Sequence, residues 1–155
     1  MKKANLLSLG ALVVLILVPG MAMAGQGRTI LVQFQGPGGH SNGNYGRTSA
    51  VHAAARSIMQ LQQTDIPADA WWLSDFNGGN SVNSIASDAR FKVHLTATGK
   101  DAYEKLTEKV KAAVAAGVHA ENAFRGVSHG DHVKGGSART DIRYTITLRG
   151  PTTGS

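Results

Sequence analysis

The chain has 155 residues, 42% of them hydrophobic, a formal net charge of +6 and no cysteine. Without cysteine it has no disulfide, no thiolate-ligated metal and no lipid anchor attached through sulfur. The positive charge forms neither a Lys/Arg-rich run nor an aromatic-basic stripe, so it reads as a solvated basic surface with no call for nucleic acid.

Lys2 and Lys3 are followed by an apolar run from Leu6 to Val18, about 13 residues, and then by Pro19-Gly20 and Ala22-Met23-Ala24. A positive start, an apolar middle and a small-residue cleavage site make the layout of a secretory signal peptide. The run is short of the ~20 residues that a membrane-spanning helix needs. Residues 1–24 are therefore expected to be a signal peptide cleaved after Ala24, giving an exported protein, periplasmic or secreted, with no stable membrane span. Cleavage leaves 131 residues and, by taking two lysines and no acids, lowers the charge to +4. That length suits one domain with a single core.

After a short leader, 25–27, Thr29 to Gln35 alternates, with Ile30, Val32 and Phe34 on one face of a half-buried strand. A glycine-rich loop follows, Gly36 to Gly46. From Thr48 to Gln62 the apolar positions Val51, Ala54, Ala55, Ile58, Met59 and Leu61 fall at helical spacing, with Thr48 or Ser49 as N-cap. Asp65-Ile66-Pro67 ends that helix, because proline disfavours its continuation.

Ala70 to Phe76 reads as a second strand. Trp71 and Trp72 occupy adjacent positions and so point to opposite faces, one into the core and one outward as a marker of a contact surface. The turn Asn77-Gly78-Gly79-Asn80 leads to a third strand within Ile85 to Thr96. Its residues Ala89, Phe91, Val93 and Leu95 point inward, while Arg90, Lys92, His94 and Thr96 point to solvent. A second helix is expected from Gly99 to Gly117, and residues 118–138 read as a loop holding three of the six histidines. The last strand, Thr140 to Leu148, directs Ile142, Tyr144, Ile146 and Leu148 inward. The tail, 150–155, is too polar to pack.

The order strand–helix–strand–strand–helix–strand, with one apolar stripe per helix and one apolar face per strand, predicts an α+β fold. It is the ferredoxin-like two-layer sandwich, two helices on one face of a four-stranded antiparallel sheet. The open face would carry Gln33, Gln35, Arg90, Lys92, His94, Arg143, Thr145 and Arg149.

Two segments go beyond fold: Gly39-His40-Ser41-Asn42-Gly43-Asn44-Tyr45-Gly46-Arg47 before a helix, and Gly78-Gly79-Asn80-Ser81-Val82-Asn83-Ser84-Ile85-Ala86 before an alternating strand. Together they resemble the lid, or dimerisation domain, of the zinc exopeptidases and deacylases that include aminoacylase, acetylornithine deacetylase and tripeptide aminopeptidase. The resemblance covers residues 28 to about 117 well and the last strand loosely, so that 28–149 is expected to be one lid-like domain. It implies that His40 reaches into a partner subunit's active site and donates to an oxyanion. It also implies that Asn83, with Asn80 beside it, lies close to substrate, and that the lid joins subunits through helices and a sheet edge. The resemblance has three departures. His94 and Thr96 stand where the family carries aspartate and arginine, so the arginine that would hold a substrate carboxylate is missing. No first catalytic half is expected before residue 28, and no second half after the last strand.

These features lead to two expectations. One is an exported lid-type module that forms a homodimer or docks on another protein without catalysis of its own. The other is the detached lid of a zinc-dependent exopeptidase or deacylase whose catalytic domain, on another chain, supplies the zinc. In that case His40 and Asn83 contact substrate. A folded gene remnant fits the same residues. Ser128 to Val133 contains a His-x-Asp pair, and His119, His129, Asp131 and His132 are weak metal ligands within a polar surface loop; a metal-capture protein is the outsider, and no resident cofactor is expected.

Overall fold

The computed structural model describes residues 27–150, so the expected signal peptide and nearly all of the expected tail lie outside the described residues. Strand β1 (Arg28–Gln35) is followed by a two-residue strand β2 (Gly39–His40) and a helical turn α1 (Ser41–Asn44). Then come α2 (Ala50–Gln62), β3 (Trp71–Gly78), a two-residue β4 (Ser84–Ile85), β5 (Asp88–Leu95), α3 (Lys100–Phe124) and β6 (Arg143–Arg149). The main sheet has the order β3-β5-β1-β6 and every pairing in it is antiparallel, which is the expected ferredoxin-like arrangement. β2 and β4 pair as a separate small ribbon. No helix among the described residues is long and apolar enough to cross a membrane.

The alternation on the two central strands does what period two requires. Ile30, Val32 and Phe34 of β1 and Ala89, Phe91, Val93 and Leu95 of β5 are buried under the helices. Phe34 packs on Phe91 with ring centroids 5.6 Å apart. Burying each of these side chains larger than alanine stabilises the fold by roughly 1.5–3 kcal/mol. From above, α2 contributes Ala53, Ala54 and Leu61, and α3 contributes Val110, Val114 and Val118. Ser49 caps α2, its hydroxyl accepting from the His52 amide.

Two expectations need correction. The second helix does not stop at Gly117 but runs to Phe124, which places His119 on a helix and shortens the following loop. Gly117 is a packing residue: a Cβ there would lie 2.3 Å from the Ser57 amide nitrogen on α2. A glycine inside a helical pattern marks a contact here rather than an end.

The last strand is also less buried than its alternation suggested. Ile142 is buried just ahead of the strand, but Tyr144 and Leu148 are exposed, because β6 is an edge strand and α2 lies over β1 and β5. At the opposite edge, Asp75 adopts a left-handed backbone (φ 54°) and the β3–β5 register slips between Ser74 and Asn77. This irregularity turns Phe76 out to solvent.

Candidate functional site

The β2–β4 ribbon holds two loops together. Gly39 pairs with Ile85 and His40 with Ser84, so the glycine-rich loop after β1 and the turn after β3 meet although 43 residues separate His40 from Asn83. The Ser41 amide and hydroxyl both donate to the Asn83 carbonyl, at 2.9 and 3.0 Å. The Asn44 side chain donates to the His40 carbonyl at 2.9 Å. Gly39 stands at φ 122°, a backbone conformation that a side chain at this point would strain.

The consequence is a side-chain pair: the Asn83 amide lies 3.2 Å from His40 Nε2, on an exposed surface. The Asn42 amide donates to His40 Nδ1 at 3.3 Å. A neutral imidazole has one acceptor nitrogen. With Nδ1 accepting from the backbone, the proton sits on Nε2, and that nitrogen becomes the outward donor. The Asn83 side-chain nitrogen is the end placed toward Nε2; exchanging the two ends of the amide would turn its oxygen to the Nε2 proton. Ser81 bonds the other end of the same amide, and Asn80 accepts from the Ser84 hydroxyl at 3.0 Å. Tyr45 and Val82, on the same two loops, are almost fully exposed.

Trp71 is half-buried against the core, while Trp72 is about half exposed on the open face. His94, expected to be solvated, is held on three sides. Trp72 stacks on it at 4.8 Å and 8° from parallel, Thr29 Oγ1 lies 3.1 Å from Nδ1 and Ser74 Oγ 2.7 Å from Nε2. Burial first, and the Lys92 charge second, hold its pKa below the ordinary value of 6.5.

The histidine-rich segment does not converge. His119 is on α3, Asp131 accepts from the Ser128 amide at 2.8 Å, and His132 faces Arg139 across an isolated bridge. His129 lies 3.2 Å from the buried carboxylate of Asp141, which is already bonded by Arg139. The Arg139 guanidinium is the main reason the Asp141 carboxyl titrates below its usual range. No group of three His, Cys, Asp or Glu side chains comes together as a metal site among the described residues.

Sequence reasoning missed one cluster altogether. Glu121, fully buried near the end of α3, accepts from the Ser49 amide at 3.1 Å, from Arg56 at 3.0 Å and from Arg125 at 3.3 Å. The two arginines flank the exposed Phe124 ring. The i,i+4 spacing of Glu121 from Arg125 is legible in the sequence, but the contacts with Ser49 and Arg56 are not.

Comparison with known proteins adds the following. The model of a protein family described as the peptidase dimerisation domain matches residues 27–122. Among curated proteins none matches the chain. Among solved structures, an aminobenzoyl-glutamate utilization protein from Klebsiella pneumoniae superposes with a TM-score of 0.60 at 19% identity, over 80% of this chain and 28% of that one. A hydantoinase/carbamoylase family amidase from Burkholderia ambifaria gives 0.58 at 19%, over 81% and 28%. The aminopeptidase PepT from Bacillus cereus gives 0.55 at 13%, over 80% and 29%. The chain thus spans less than a third of each of these structures, and at such identities the likeness establishes the fold.

Proposed function

We propose, because this chain belongs to the peptidase dimerisation domain family, that it is a non-catalytic lid that self-associates or docks through a sheet edge and presents His40 and Asn83 to a hydrolase active site carried on another chain. The observation that carries this reading is the His40–Asn83 pair itself, 3.2 Å apart on an exposed ribbon. A backbone amide on Nδ1 favours the tautomer that carries Nε2–H, a donor of the kind that stabilises an oxyanion when it is aimed in advance. Tyr45 and Val82 add exposed apolar area beside the pair, which suits a surface that another protein covers. The amidase and aminopeptidase among the similar structures point to amide-bond hydrolysis as the partner's chemistry. Zinc, in this reading, belongs to the partner.

Adding the protein to a catalytic metallohydrolase domain that lacks a lid is expected to raise its amidase or peptidase activity, and His40→Ala to remove the gain. No gain, or a gain that survives His40→Ala, sinks the proposal. Export belongs to the same reading, and the signal-peptide layout of residues 1–24 supports it. Amino-terminal sequencing of the protein recovered from outside the cytoplasm is expected to begin at Gly25.

A further inference from the structure

Between the segment preceding α2, the Gly78-Gly79 turn and β4 lies an open cleft of about 510 Å³, lined by Arg47, His52, Ser84 and Arg125 among others and by no aspartate or glutamate. That volume falls within the range of small-molecule sites, roughly 300–1,000 Å³. The charges along it are unevenly matched. Arg125 shares the Glu121 carboxylate with Arg56. Arg47 is half-buried and forms no ion pair with any described residue; its guanidinium makes one hydrogen bond there, a long one of 3.4 Å to the Gly38 carbonyl. A guanidinium has five N–H donors, and removing it partly from water without an anion is costly. The start of α2 does not supply the attraction, because its first amides are already used: Ser49 donates to Glu121, Ala50 to the Ala86 carbonyl and His52 to the Ser49 hydroxyl.

We infer that this cleft binds a small carboxylate-bearing molecule, with Arg47 as its principal anchor. The planar fork of the guanidinium matches the two oxygens of a carboxylate. Arg125 and Ser84 also line the cleft. The site is complete within this chain, so it stands or falls independently of any catalytic partner.

The test is a titration of the ¹⁵N-labelled full chain with N-acetylglycine, and in parallel with inorganic phosphate, at constant ionic strength. Saturable amide shifts are expected at Tyr45, Arg47 and Ile85, with a Kd on the order of millimolar. Arg47→Gln is expected to weaken binding by about tenfold or more, and Arg47→Lys by less, since it keeps the charge and loses the fork. The inference is overturned if the wild-type shifts fail to saturate, if they map away from the cleft, or if Arg47→Gln binds as well as wild type. Phosphate binding more tightly at the same amides overturns the carboxylate assignment. Because the shift map is read on the wild type, the outcome does not depend on how well a variant folds.

Discussion

On the open face of the sheet, the Trp72 ring covers His94 while Thr29 and Ser74 hold its two nitrogens. The neighbours set the charge of this histidine: burial disfavours the imidazolium, Lys92 repels it, and Asp75 opposes them less strongly. A histidine with a lowered folded pKa contributes stability that is present above the unfolded value of 6.5 and lost as the pH falls through the folded value. An NMR titration is therefore expected to give His94 a midpoint below 6.5, and Trp72→Ala to move it upward by uncovering the ring. A midpoint at or above 6.5 in the wild type contradicts the account. His40 differs in how it can be found. It is legible from sequence because a glycine-histidine-serine loop and an asparagine turn together resemble a known lid. The 3.2 Å contact between His40 and Asn83 is not legible, because two-residue strands carry no periodicity to read.

Helix α3 shows what an element's pattern can conceal. Its apolar stripe is readable to Gly117, where helix propensity argues for an end. Seen against α2, the same residue lets two backbones approach: Ala53, Ala54 and Ser57 are buried on the facing side, and the Ser57 hydroxyl donates to the Ala53 carbonyl at 2.8 Å. Propensity alone predicts that Gly117→Ala stabilises the protein by about 1 kcal/mol. Contact predicts the opposite, because the new methyl would meet the backbone of Ser57 at 2.3–2.4 Å and the helices would have to part. A net loss of about 1–3 kcal/mol is expected in urea denaturation, the usual cost of overpacking, and a gain would show that the helices are less closely joined. The Glu121 cluster, one turn beyond, ties the start of α2 to the end of α3. Only the i,i+4 partner of Glu121, Arg125, is local; the other two partners come from positions 49 and 56, out of reach of any local pattern.

At the scale of the whole molecule, an open four-stranded sheet leaves two edges, and each is left apolar in its own way. On β3, Trp72 and Phe76 are about half exposed; on β6, Tyr144 and Leu148 are uncovered on the helix side. The ion pair between Lys92 and Asp75, at 2.6 Å, sits at the slip in register and shortens the regular edge that β3 can offer. What remains, Trp71 to Ser74, is a short pairing edge with an aromatic ring beside it, and rings of this kind dominate the cores of protein interfaces. Edge pairing through this segment is therefore the expected mode of self-association. Sedimentation at high micromolar concentration is expected to show a reversible dimer, and Trp72→Lys to weaken it at least several-fold, because the charge and the lost ring act on the same contact. Leu148→Lys is the matched control on the other edge and is expected to leave the dimer intact. A strict monomer removes the self-associating role, and a dimer lost through Leu148→Lys but kept through Trp72→Lys moves the interface to β6, away from the stacked face.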